Sequence, residues 1–99
     1  MHRLTTTITP QSTLACRLET EGPAMDAPVI CFSLMGPGRA IEGCEIIEQC
    51  GGFQAVRLAG RLAADHPVDF EVGYDGFGVG NRAWLPKGIY LRLPDGSTQ

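Results

Sequence analysis

Apolar and polar residues alternate with a period of two along most of this chain, the spacing of strands that lay one face on a core. Leu14, Cys16 and Leu18 point one way, and Thr13, Arg17 and Glu19 the other. Val68, Phe70, Val72 and Tyr74 alternate with Asp69, Glu71 and Gly73, and Ile89, Leu91 and Leu93 alternate with Tyr90 and Arg92. The run from Val29 to Met35 is apolar apart from Ser33, which predicts a central strand covered on both faces. Val56 and Leu58 mark another strand, introduced by a Gly51-Gly52 turn after Glu45-Ile46-Ile47-Glu48. Thr5 to Thr9 is β-branched throughout and suits an edge strand.

Turn formers punctuate these runs about every ten residues: Pro10, Gly22-Pro23, Gly36-Pro37-Gly38, Gly51-Gly52, His66-Pro67, Gly76 to Gly80, Pro86 to Gly88 and Asp95-Gly96. The best helix candidate, Leu58 to Asp65, contains Gly60 and runs into Pro67, so it predicts a turn or two of helix at most. There is no internal repeat and no low-complexity tract. Short strands with regular turns predict an all-β fold, a single antiparallel β-sandwich of immunoglobulin-like or carbohydrate-binding-module-like type.

Composition agrees with that architecture. Ninety-nine residues allow one domain, 1–99, and an apolar fraction of 43% supplies a core. Thirteen Gly and seven Pro favour many short elements. A net charge of −3 with a single Lys gives no basic face for nucleic acid. Thr5-Thr6-Thr7 interrupts any apolar leader, and no run reaches membrane-spanning length, so no membrane partner and a cytoplasmic location are expected. The four cysteines form no Cys-x-x-Cys pair, and two His are too few for a zinc site, so neither metal nor cofactor is expected. Cys16 and Cys31 fall in strand runs as small core hydrophobes. The core is large enough without staples, so reduced thiols are expected, and Cys44 and Cys50, which bracket an expected hairpin, are the pair to check first.

Little here carries catalysis. Gly76-Phe77-Gly78-Val79-Gly80 has the look of a phosphate loop, but Pro86 and Gly88 leave no room for the helix that loop requires. Asp69 and Glu71 form the polar side of a strand, Glu42, Glu45 and Glu48 read as exposed, and neither His has a nucleophile beside it in sequence. The segment Asn81-Arg82-Ala83-Trp84-Leu85-Pro86 is different, because it joins the only Trp to planar, hydrogen-bonding side chains. Three readings of Trp84 stand together: packing over one end of the sandwich against Tyr90 or Phe77; a sugar-stacking patch of Trp84, Tyr74 and Phe77 flanked by Asn81, Arg82 and Asp75; or a docking surface. Leu85-Pro86 and Ile89 add apolar surface without the polar groups a sugar needs, which favours docking.

Val29-Ile30-Cys31-Phe32-Ser33-Leu34, the Gly51-Gly52-Phe53 turn, and Asn81 to Pro86 with Tyr90-Leu91 together resemble the N-terminal non-catalytic domain of bacterial β-N-acetylhexosaminidases of glycoside hydrolase family 20. The resemblance runs from about Thr13 to the end of the chain. It implies an accessory β-sandwich domain ahead of a catalytic barrel that removes terminal N-acetylhexosamine. The adjacent Asp-Glu pair that does the chemistry in that family has no counterpart here, since the chain contains no Asp-Glu dipeptide. The expectation is therefore a chain that is not itself an enzyme, the N-terminal module of a longer polypeptide whose catalytic domain is its partner. The alternative is a free-standing module binding carbohydrate or protein.

Overall fold

A computed structural model describes residues 2–11, 13–34, 36–74 (Tyr74 by its backbone alone) and 86–99. The described residues fold as an all-β, antiparallel sandwich. Its strands are β1 (His2–Ile8), β2 (Leu14–Thr20), β3 (Met25–Asp26), β4 (Val29–Ser33), β5 (Gly38–Glu42), β6 (Cys44–Cys50), β7 (Phe53–Leu58), β8 (Arg61–Leu62), β9 (Val68–Tyr74) and β10 (Lys87–Arg92). One sheet has the order β1-β2-β9-β5 and the other β10-β4-β7-β6, with β3 and β8 as a small separate pair.

The alternation in the sequence becomes the two faces of each sheet. Leu14, Leu18, Val68, Phe70 and Val72 from one sheet meet Ile30, Phe32, Val56, Leu58 and Leu91 from the other in a single buried cluster. Arg17 and Asp69, on the opposite parity, form an exposed ion pair at 2.8 Å. β4 lies inside its sheet, and its Ile30, Cys31 and Phe32 are all buried, so both faces of this strand are covered as its unbroken apolar run implied.

Three expectations change. Leu58 to Asp65 forms no helix; Gly60 takes a positive φ, Arg61–Leu62 pairs with Met25–Asp26, and Ala63 and His66 close a turn by exchanging backbone hydrogen bonds. Thr13 is buried, with its hydroxyl between Thr9 Oγ1 and the Glu71 carboxylate, and Glu71 on the same shelf is half-buried in place of exposed. Ile89 was expected to share the inward face of Leu91, but a register shift between Lys87 and Tyr90 leaves it 43% exposed. The expectation of reduced thiols holds: Cys44 and Cys50 lie at opposite ends of one strand, roughly 20 Å apart at strand rise, whereas a disulfide needs Cα atoms within about 7 Å.

All four cysteines are free thiols. Burial pushes the Cys16 thiol up to about 12, with smaller contributions from Cys44 and Glu71, and burial also raises Cys44. Unfolding exposes Cys16 to its ordinary ionisation near 9.0. Between those values the unfolded chain loses a proton that the folded chain keeps, so stability falls as pH rises, by up to about 1.4 kcal/mol per pH unit from this residue. Urea unfolding from pH 8 upward should show that decline in the wild type and less of it in Cys16→Ala. The same slope in both proteins would contradict the buried thiol.

Candidate functional site

The residues that the sequence singles out lie mostly between β9 and β10 in the chain. Tyr74 pairs with Gly38 and Lys87 pairs with Ser33, so both flanks of 75–85 emerge where the Gly51-Gly52 turn and the Thr9–Thr13 turn also lie. Asp75, Phe77, Asn81, Arg82 and Trp84 lie outside the described residues, as does the side chain of Tyr74. Of the expected site, Tyr90 is the residue whose side chain can be placed.

Tyr90 stands on the outer face of the β10-β4-β7-β6 sheet. The strand registers put Tyr90, Cys31, Ala55 and Glu48 in one row across that face, and Arg92, Val29, Arg57 and Glu45 in the next. Two small residues, Cys31 and Ala55, stand at the centre of the first row. Arg92 reaches across the sheet, and its guanidinium donates a hydrogen bond to Glu48 Oε2 from the far side. Three strand spacings, roughly 14 Å, separate those two strands, so the side chains meet above β4 and β7.

Cys31 and Ala55 below are completely buried. The Tyr90 phenol is pushed up from its ordinary range, first by hydrogen bonding to the Cys31 thiol and by desolvation, while Arg92 pulls the other way. Hydrogen bonding to Glu48 holds the Arg92 guanidinium more firmly charged. Arg92 is therefore held by its bond to Glu48, and Tyr90 lies half-buried on the same face. Sequence alternation had placed both on the polar side of β10; the bridge to Glu48, 44 residues away, has no sequence signal because it depends on sheet order.

A second feature lies on the outer face of the other sheet. Thr5, Thr7, Ala15, Arg17, Glu42, Asp69 and Glu71 line an open shelf of about 650 Å³, a volume within the range of small-ligand sites. Hydrogen bonding from Arg17 holds the Asp69 carboxyl below its usual range, so at neutral pH it is an ion-paired carboxylate with no proton to donate. No aromatic side chain faces this shelf among its lining residues, except Phe70 by its backbone strand, whose side chain belongs to the core. Among the described residues no group of three or more His, Cys, Asp or Glu is arranged to hold a metal ion.

Set beside family models, curated proteins and solved structures, the chain matches none of them.

Proposed function

We propose that this chain is a non-catalytic accessory β-sandwich that docks on a catalytic domain, the role its resemblance to family 20 hexosaminidase N-terminal domains implies. The observation that carries this reading is Arg92, held by Glu48 on the outer face of the second sheet with Tyr90 on the same face, eight and six residues beyond Trp84 in the chain. Tyr, Trp and Arg are the residue types most often found as interface anchors, and anchors held rigid before binding lose less entropy on association. A hydrolytic role has no comparable support, because Asp69 is held ionised and a general acid must carry a proton.

Docking is tested by calorimetry, titrating the chain into a family 20 catalytic barrel that lacks its own N-terminal domain. Tyr90→Ala and Arg92→Ala should each weaken association by about 2 kcal/mol, close to thirtyfold. Arg92→Ala should also uncover Cys31, so that its alkylation in the folded protein speeds up while that of Cys16 does not. Unchanged Cys31 reactivity would contradict the Arg92 cover.

A second reading is glycan binding on the hydroxyl- and carboxylate-lined shelf, which offers directional polar groups at Thr5, Thr7, Glu42 and Glu71. Among the described residues the shelf has no aromatic side chain for a sugar ring to stack on, which weighs against it. Saturable binding of N-acetylglucosamine oligomers to the chain, lost in a folded Thr5→Val/Thr7→Val variant, would favour this reading over docking.

A further inference from the structure

The sandwich has four lateral sheet edges, and three of them carry devices that block further pairing. β5 is short, has a register shift between Ala40 and Glu42, and bears Arg39 and Glu42. β6 has a shift between Ile46 and Glu48 and places Glu45 and Glu48 along it. β10 has its own shift, and its open side is closed by the chain itself, with Leu91 and Gln99 exchanging backbone hydrogen bonds and Leu93 donating to Ser97.

β1 has neither a register shift nor a covering segment, and its one charged residue, Arg3, lies near its start. It pairs with β2 without a break from His2 to Ile8, contains no proline, and runs Leu4-Thr5-Thr6-Thr7-Ile8 with no charge. Among the described residues nothing pairs with its other side.

The open side has a defined pattern of donors and acceptors. Thr9 N–H donates to the Thr13 carbonyl at 2.8 Å, which continues the β1–β2 register. In an antiparallel ladder every second pair is hydrogen-bonded, so Thr7, Thr5 and Arg3 turn their backbone groups toward β2. Leu4, Thr6 and Ile8 then turn theirs outward. The sequence of this segment reads nearly the same in both directions about Thr6. A two-fold axis there sets Thr6 opposite Thr6, Leu4 opposite Ile8 and Thr5 opposite Thr7, with each outward-turned residue meeting another outward-turned residue.

The faces also agree. Even-numbered residues face the core side in both copies, so Leu4 meets Ile8 on the apolar side while threonines meet on the wet side. His2 and Arg3 fall at the ends, opposite Pro10 and Thr9, and no like charges meet. Beside Leu4 lies an open groove of about 360 Å³ lined by Leu18, Ile30, Ile89 and Leu91 together with the hydrogen-bonded His2 and Gln99, and in such a pair the second copy's Ile8 would come next to Leu4.

We propose that two copies of this chain associate through antiparallel β1–β1 pairing centred on Thr6, joining their four-stranded sheets into one of eight strands. The pairing is isologous, as two-fold dimers require.

Sedimentation equilibrium on the wild-type chain should show a monomer–dimer equilibrium. Thr6→Pro removes an outward N–H that the β2 ladder does not use, in the edge position where proline is tolerated. It should weaken the dimer by at least about tenfold, with the melting transition retained. The T5E/T7E variant sets like charges opposite each other across the two-fold axis and should weaken it similarly, whereas T5E/T7K sets opposite charges together and should keep the dimer. If Thr6→Pro fails to fold, the two charge variants decide. A wild type that stays monomeric at every soluble concentration would overturn the proposal, as would a dimer that T5E/T7E leaves unchanged.

Discussion

Phe70→Ala is expected to cost about 3–5 kcal/mol of folding stability. Phe70 is the large side chain of β9, the strand between β2 and β5, and it is 4% exposed. It sits opposite Cys16 in the ladder and faces Ile30, Phe32 and Val56 of the other sheet within one buried cluster. Truncation removes apolar burial and leaves a hole that strands fixed on both sides cannot close, so both the transfer and the cavity contributions apply. A domain of this size has total stability on the order of 5–15 kcal/mol, so the variant should be partly unfolded near its physiological temperature. Asp69→Ala, one residue away, breaks only an exposed ion pair and should change stability by about 1 kcal/mol or less. Urea denaturation of both variants checks the assignment. A Phe70→Ala cost no larger than that of Asp69→Ala would place the wrong face inward.

Gly52→Ala should cost about 2–4 kcal/mol, although Gly52 has an ordinary negative φ. The reason is contact: a Cβ on Gly52 would lie 2.1 Å from the Leu34 carbonyl oxygen, a backbone atom with little freedom to move. Leu34 N–H donates to the Gly52 carbonyl at 2.8 Å, so the β6–β7 turn is held against the end of β4. The same carbonyl accepts from Gln54 Nε2 at 3.1 Å. Gln54 is almost wholly buried, and its Oε1 accepts from Gln49 Nε2, which also donates to the Gly38 carbonyl. Forcing the turn away loosens these bonds and takes a partner from the buried Gln54 amide. Gly51→Asn is the control. Gly51 has a φ of 57° with open space around it, a conformation Asn tolerates, so its cost should stay near or below 1 kcal/mol. Equal melting temperatures for Gly52→Ala and Gly51→Asn would show that the close approach is not maintained in solution.

The strands with a clean alternation were legible in the sequence because a half-buried strand has to alternate. β2 and β9 follow their apolar pattern almost residue for residue, and the unbroken run at β4 announced an interior strand. β5 was not legible. Gly38-Arg39-Ala40-Ile41-Glu42 carries a register shift that breaks period two, and its pairing with β9 depends on residues 29 to 36 positions away. The helix expectation at Leu58 to Asp65 failed for a related reason, since short-range spacing there was overridden by pairing of Arg61–Leu62 with a strand 35 residues earlier. In the candidate site, alternation set Tyr90 and Arg92 on the polar side of β10, but nothing local indicated Glu48 or Cys31 as their neighbours. Sheet order supplies those contacts, and sheet order is what a one-dimensional pattern does not contain.

The most direct test of the docking role maps backbone amide shifts of the ¹⁵N-labelled chain during titration with a family 20 catalytic domain, and separately with N-acetylglucosamine oligomers. Docking through the outer face of the second sheet should perturb Tyr90, Arg92 and Glu48 together with Trp84, and the oligomers should leave the spectrum unchanged. Saturable shifts caused by the oligomers and confined to Thr5, Thr7, Ala15 and Glu71, with none from the catalytic domain, would contradict the account.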